Sequence, residues 1–276
     1  MTVSPAARPR PVRTSPLLAF AGGAAVGVLG GMIGLGGAEF RLPLLITLFG
    51  FAALQAVIVN KALSLVVVVT ALPVRLVAVP WSALTPHWSV VVNLLAGSLI
   101  GAWAGATWAI RMRSGTLYRV LAALLVLVAV ALIANHTATP RQLSAAPAAV
   151  VAIGVVAGFG IGVVAAIMGV AGGELLIPTI VLLFGTDIKT AGSLSLAVSL
   201  PTMLVAFARY SRDGSFTVLR HHAHVVAVLA AGSVTGTIAG GLLLGAIPDT
   251  VLLPLLAGLL LLSSIKVWRH AIPRHR

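Results

Sequence analysis

The sequence predicts an all-α, polytopic transmembrane helical bundle, an inverted repeat of five plus five segments with eight long helices and two short half-helices. Three observations carry that expectation. The 276-residue chain is 59% hydrophobic and only 8% charged, with a mean hydropathy of +1.12. Apolar runs of about 18 or more residues, long enough to cross the hydrocarbon of a bilayer, recur from end to end. The chain also repeats itself: Gly34-Leu-Gly-Gly-Ala-Glu39-Phe-Arg-Leu-Pro43 returns in the second half as Gly169-Val-Ala-Gly-Gly-Glu174-Leu-Leu-Ile-Pro178.

The register of the repeat does not slip. The offset that carries Glu39 onto Glu174 also carries Leu48-Phe49-Gly50 onto Leu183-Phe184-Gly185, and Ser64 onto Ser199. Far downstream, Gly97, Gly101 and Gly105 match Gly232, Gly236 and Gly240. A duplicated unit with a glycine-broken helix at the same place in each copy is a signature of secondary transporters.

Taken in order, residues 1–16 form a basic tail holding Arg8, Arg10 and Arg13. Tail and following apolar stretch imitate a secretory signal peptide. That stretch belongs to the repeat, however, because Gly23 and Gly27 match Gly158 and Gly162, so it reads as the first span. The first copy covers 17–134, with segments near 17–34, 42–50, 55–79, 88–110 and 117–134. After a linker at 135–149, the second covers 150–268, with segments near 150–169, 177–185, 190–208, 223–245 and 250–268, before a basic tail at 269–276. The second segment of each copy is too short to cross as a straight helix. It is a half-helix, or one arm of a hairpin dipping into the membrane.

Basic residues set the orientation. Under the positive-inside rule the N-terminal tail is cytoplasmic. The loops with Arg111, Arg113 and Arg119, and with Arg209, Arg212 and Arg220, then fall on the same side, as does the C-terminal tail. The expectation is a multi-pass protein of the plasma (inner) membrane with both termini cytoplasmic. Equivalent loops carry opposite bias: 111–119 holds three arginines, while its counterpart 246–254 has none. An odd number of crossings per copy turns the second copy upside down and predicts that alternation. Repeated glycines at every fourth position mark helix faces that pack closely in lipid.

Composition removes several function classes. A net charge of +13 suggests nucleic acid in a soluble protein, but here no basic patch is interleaved with aromatics. The lack of cysteine excludes disulfides and thiol chemistry. His221, His222 and His224 cluster among cations without an acidic ligand and read as a solvated loop, so no metal and no cofactor is expected. Trp81, Trp88, Trp103, Trp108 and Trp268 near segment ends read as interfacial anchors. An intramembrane hydrolase would draw on Ser193 or Ser195, but every histidine lies in a loop or tail. No phosphate-binding loop is present for ATP-driven transport.

The breaks carry the chemistry. Gly34, Gly36 and Gly37, and Gly169, Gly172 and Gly173, interrupt helix in each copy. Unwound backbone is tolerated in a bilayer only where protein buries it or water reaches it. Pro43 and Pro178 mark where a short helix restarts, since proline suits the first turn. Two helix N-termini result, each with free N–H groups and a positive dipole end suited to an anion. Glu39 and Glu174, two of only five acids, lie in these breaks. Each reads either as a proton carrier or as a complement to the dipole of the helix behind it. Arg41 has no counterpart, since Leu176 takes the equivalent place; it neutralises substrate charge or snorkels to an interface. Asn60 and Ser64, with Ser195 and Ser199 in the second copy, share a helix face and could donate to oxyanion oxygens or bond between helices. Lys61 joins them or lies at the membrane surface.

Glycine-rich break, apolar stretch and proline, present in both halves of a chain this long, resemble the TauE/SafE family of membrane permeases. The resemblance spans about residues 17 to 268. It implies a plasma-membrane permease carrying a small anion of the sulfite or organosulfur kind. The expected function is therefore a secondary transporter working by alternating access around a midplane site, with proton coupling through Glu39 and Glu174. A passive anion channel is the alternative. The expected partners are a small anion and the bilayer, with no nucleic acid; whether the chain forms a homo-oligomer is left open.

Overall fold

The computed structural model describes residues 15–33, 37–78, 84–137, 146–212, 216–242 and 249–270. Every described element is a helix. The first copy contributes α1 (Pro16–Ile33), α2 (Ala38–Thr47), α3 (Ala53–Ala78), α4 (Trp88–Arg111) and α5 (Ser114–Thr137). The second contributes α6 (Pro147–Met168), α7 (Gly173–Phe184), α8 (Ile188–Ser211), the short α9 (Thr217–His221), α10 (Ala223–Leu242) and α11 (Asp249–His270). Among the described residues six helices are long and apolar enough to cross a membrane: α3, α4, α5, α6, α8 and α10.

The short helices form hairpins with the helices before them. Leu44 and Phe49 lie against Gly22, so α2 runs back along α1. In the second copy Phe184 meets Gly154, and Gly172 faces Ile161 and Ala165, so α7 runs back along α6. At 10 and 12 residues these arms are roughly 15 and 18 Å long, about half a bilayer.

Their start differs from the sequence expectation. α2 begins at Ala38 and α7 at Gly173, so Pro43 and Pro178 sit inside the helices rather than in the first turn. Left-handed Gly37 (φ 66°) and Gly172 (φ 85°) do the starting, a conformation glycine adopts without steric cost. Each proline lacks an N–H and so leaves the carbonyl four residues back, that of Glu39 or Glu174, without its helical donor.

Two long helix pairs hold the bundle together. Gly97, Gly101 and Gly105 of α4 press against the carbonyls of Val155, Phe159 and Val163 on α6. Gly232, Gly236 and Gly240 of α10 press against Phe20, Ala24 and Val28 on α1, the same contacts at the repeat-equivalent positions. A Cβ at these glycines would overlap the facing backbone, as expected of small-residue faces in a membrane bundle. Numbering rises together along both partners, so α1 is parallel to α10 and α4 to α6.

Contacts at the helix ends fix one basic face. Arg209 and Arg212 at the end of α8 stack over Trp103 near the end of α4, at 5.6 and 5.1 Å. His222, just before α10, meets Phe51 just before α3 edge-on. Tyr118 at the start of α5 lies 6.0 Å from His270 at the end of α11. Arg111, Arg113, Arg119, Arg209, Arg212, Arg220 and Arg269 therefore share one end of the bundle, together with the start of α1. The second hairpin turns at the opposite end, where Asp187 accepts from the Thr190 N–H at the start of α8.

Candidate functional site

The second break is built on the end of α6. Gly169 takes a left-handed conformation (φ 72°). Its N–H bonds to the Ala166 carbonyl and that of Val170 to Ala165, the paired closure of a glycine-terminated helix. The outward-facing carbonyls are taken by side chains of α3 and α8. Lys61 Nζ donates to the carbonyls of Ala165 and Val170, both at 2.8 Å. Asn60 Nδ2 donates to Met168 at 3.1 Å, and Ser64 Oγ to Gly169 at 3.2 Å and to Asn60 at 2.7 Å. Tyr210 of α8 donates its hydroxyl to Ala166 at 3.0 Å.

Lys61 is fully buried, which removes the membrane-surface reading of this residue. A cation at a helix C-terminus also opposes the negative end of the dipole. Asn60 does more than close α6: its Nδ2 donates to the Ala38 carbonyl in the first turn of α2 at 2.9 Å. One amide group thus ties the two breaks together.

Glu39 and Glu174 occupy the first turns of α2 and α7, both buried. The two carboxyl groups interact electrostatically with each other, and Glu39 Oε2 and Glu174 Oε1 are buried with no hydrogen-bond partner. Arg41, two residues after Glu39, interacts electrostatically with it and is fully buried, so it does not snorkel to an interface. Its second-copy position holds the buried Leu176.

The structure thus gathers Gly37, Glu39, Asn60, Ser64, Gly169, Gly172, Gly173 and Glu174 around the meeting of the two hairpins. Gly34 and Gly36 lie outside the described residues. Ser195 and Ser199 stand at the matching positions of α8, both buried. Ser195 donates within its own helix to Gly192, whereas Ser199 Oγ is buried without a partner. Tyr210, which closes α6, is a site residue the sequence reading missed; one of only two tyrosines, it sits at the tail of an apolar segment among charged residues. His221, His222 and His224 lie at the basic face, where His221 Nδ1 meets the Thr217 carbonyl.

A multi-pass helical membrane protein whose two helix breaks meet in its interior has the framework of a membrane permease. Residues 19–267 match the family described as sulfite exporter TauE/SafE, and the chain belongs to that family. No curated protein and no solved structure matches the chain. The family is one of transporters, membrane permeases of the sulfite-exporter type.

Proposed function

We infer that the chain is a secondary carrier of a small anion, of the sulfite or organosulfonate class, coupled to protons. The observation that carries this reading is the contact of Glu39 with Glu174 where the two breaks meet. A buried carboxyl pair that shares one proton can release it or take a second as the site changes sides.

Anion binding falls to the backbone around that pair. Neither α2 nor α7 has a residue before it that caps it with a side chain, so the first-turn N–H groups of Ala38, Gly173 and Glu174 point out from the positive end of each helix. Gly37, Gly172 and Gly173 let an oxyanion approach these groups closely. Ser195 and Ser199 add hydroxyls, and Arg41 balances the carboxylates and the anion. Asn60 and Ser64 serve through the backbone they hold.

Alternating access follows from an inverted repeat. Each copy contributes one hairpin and three spans, an odd number of crossings, so the second copy lies upside down. The exchanged parallel pairs support this: α1 of one copy lies beside α10 of the other, and α4 beside α6. The basic face is cytoplasmic by the positive-inside rule, which places both termini inside the plasma membrane. One copy then rocks against the other about the shared site.

The test is flux of sulfite or sulfoacetate from proteoliposomes. A carrier gives saturable flux that counter-transported anion accelerates. Flux that stays linear in concentration assigns a passive channel instead.

A further inference from the structure

On the outside of the bundle α5 and α11 leave a groove of about 490 Å³. Ala122, Ala123 and Val126 line it from α5, and Ser264, Ile265, Trp268 and Arg269 from α11. Its floor is apolar, since Ser264 turns its hydroxyl back to the Leu261 carbonyl at 2.9 Å. One end opens at the basic face. There Arg269 stands at the mouth, and exposed Arg119 lies one turn before Ala122 and Ala123 on the same side of α5. Trp268 is 47% exposed beside them, an aromatic at the depth where ring and headgroup meet. The Tyr118–His270 ring contact holds the two helices together at this mouth.

The internal repeat supplies a comparison. Ala122 and Ala123 correspond to Ala257 and Gly258, so the far end of the same helix pair keeps its small residues. Arg119, Trp268 and Arg269 correspond to Pro254, Ile133 and Ala134. Duplicated scaffold thus carries a basic, aromatic mouth at one end only. We propose that this groove is a binding site for an anionic glycerophospholipid, with an acyl chain along the alanine floor and the phosphate held by Arg119 and Arg269. Paired guanidinium groups suit a phosphate geometrically, and basic pockets between membrane helices select anionic headgroups.

Native mass spectrometry of the delipidated full chain, titrated with phosphatidylglycerol or phosphatidylcholine, tests the site. Wild type retains phosphatidylglycerol preferentially. Arg119→Gln/Arg269→Gln loses that preference, by about fivefold per arginine and so about twenty-fivefold for the pair. Arg113→Gln removes a charge from the same face outside the groove and keeps the preference. Ala123→Trp fills the floor and weakens both lipids. Equal retention of the two lipids by wild type, or an equal loss in Arg113→Gln, overturns the proposal. So does a dimer that Ala123→Trp abolishes, which assigns the groove to a second copy of the chain.

Discussion

The two helix breaks share a scaffold but not a chemistry. Both have a left-handed glycine, a glutamate in the first turn and a proline four residues later. The helix before the second break is closed by a buried lysine, since Lys61 of α3 reaches Ala165 and Val170; the matching position of α8 is Leu196. The same inequality appears one level out. Ser98 of α4 bonds to Thr202 of α8 at 2.8 Å. Its counterpart Ser233 of α10 is buried without a partner, and the residue that matches Thr202 is Val67. We read α3 with the end of α6 as the rigid half of the site, and α8 around Ser195 and Ser199 as the half freer to rearrange.

Substitutions can break or sharpen that difference. Gly169→Ala has the largest expected effect, since a Cβ there would overlap the Val57 carbonyl of α3 at a left-handed backbone position. Strain and overlap together cost about 3 kcal/mol or more, read as a lower unfolding midpoint in detergent. Gly172→Ala meets only the side chains of Ala165 and Ile161, so strain alone remains, about 1–2 kcal/mol by the same measurement. Lys61→Leu gives α3 the second-copy residue and leaves the Val170 carbonyl without a donor. It should destabilise by about 2 kcal/mol and loosen amide exchange at 165–170. Ser195→Ala, on the freer side, removes only a bond within its own helix and should cost about 0.5 kcal/mol or less. Of similar size and opposite sign is Val67→Thr, which supplies Ser233 with the missing partner and should stabilise by about 0.6 kcal/mol.

Much of this was legible in the sequence because duplication writes the same constraint twice. The constant offset between the copies located both hairpins, both glutamates and the glycine faces of α4 and α10. Helix starts were misread by about one turn. A proline tolerated inside a helix looks the same as one that opens it, and the deciding feature is the backbone of Gly37 and Gly172. The roles of Asn60, Lys61 and Tyr210 were not legible. Each acts on a carbonyl of another helix, distant in the chain, and nothing local distinguishes a donor aimed at a substrate from one aimed at a helix end. The meeting of Glu39 with Glu174 was hidden for the same reason, as it depends on how two copies pack.

The central claim is that these two glutamates act as one proton site. The direct test is anion flux in proteoliposomes under an imposed pH gradient, comparing wild type with Glu39→Gln and Glu174→Gln. The account predicts that wild-type flux follows the gradient, and that either single substitution abolishes the dependence while anion exchange at equal pH persists. Gradient-driven flux that survives unchanged in both variants would contradict it, leaving the glutamates as complements to the helix dipoles behind them.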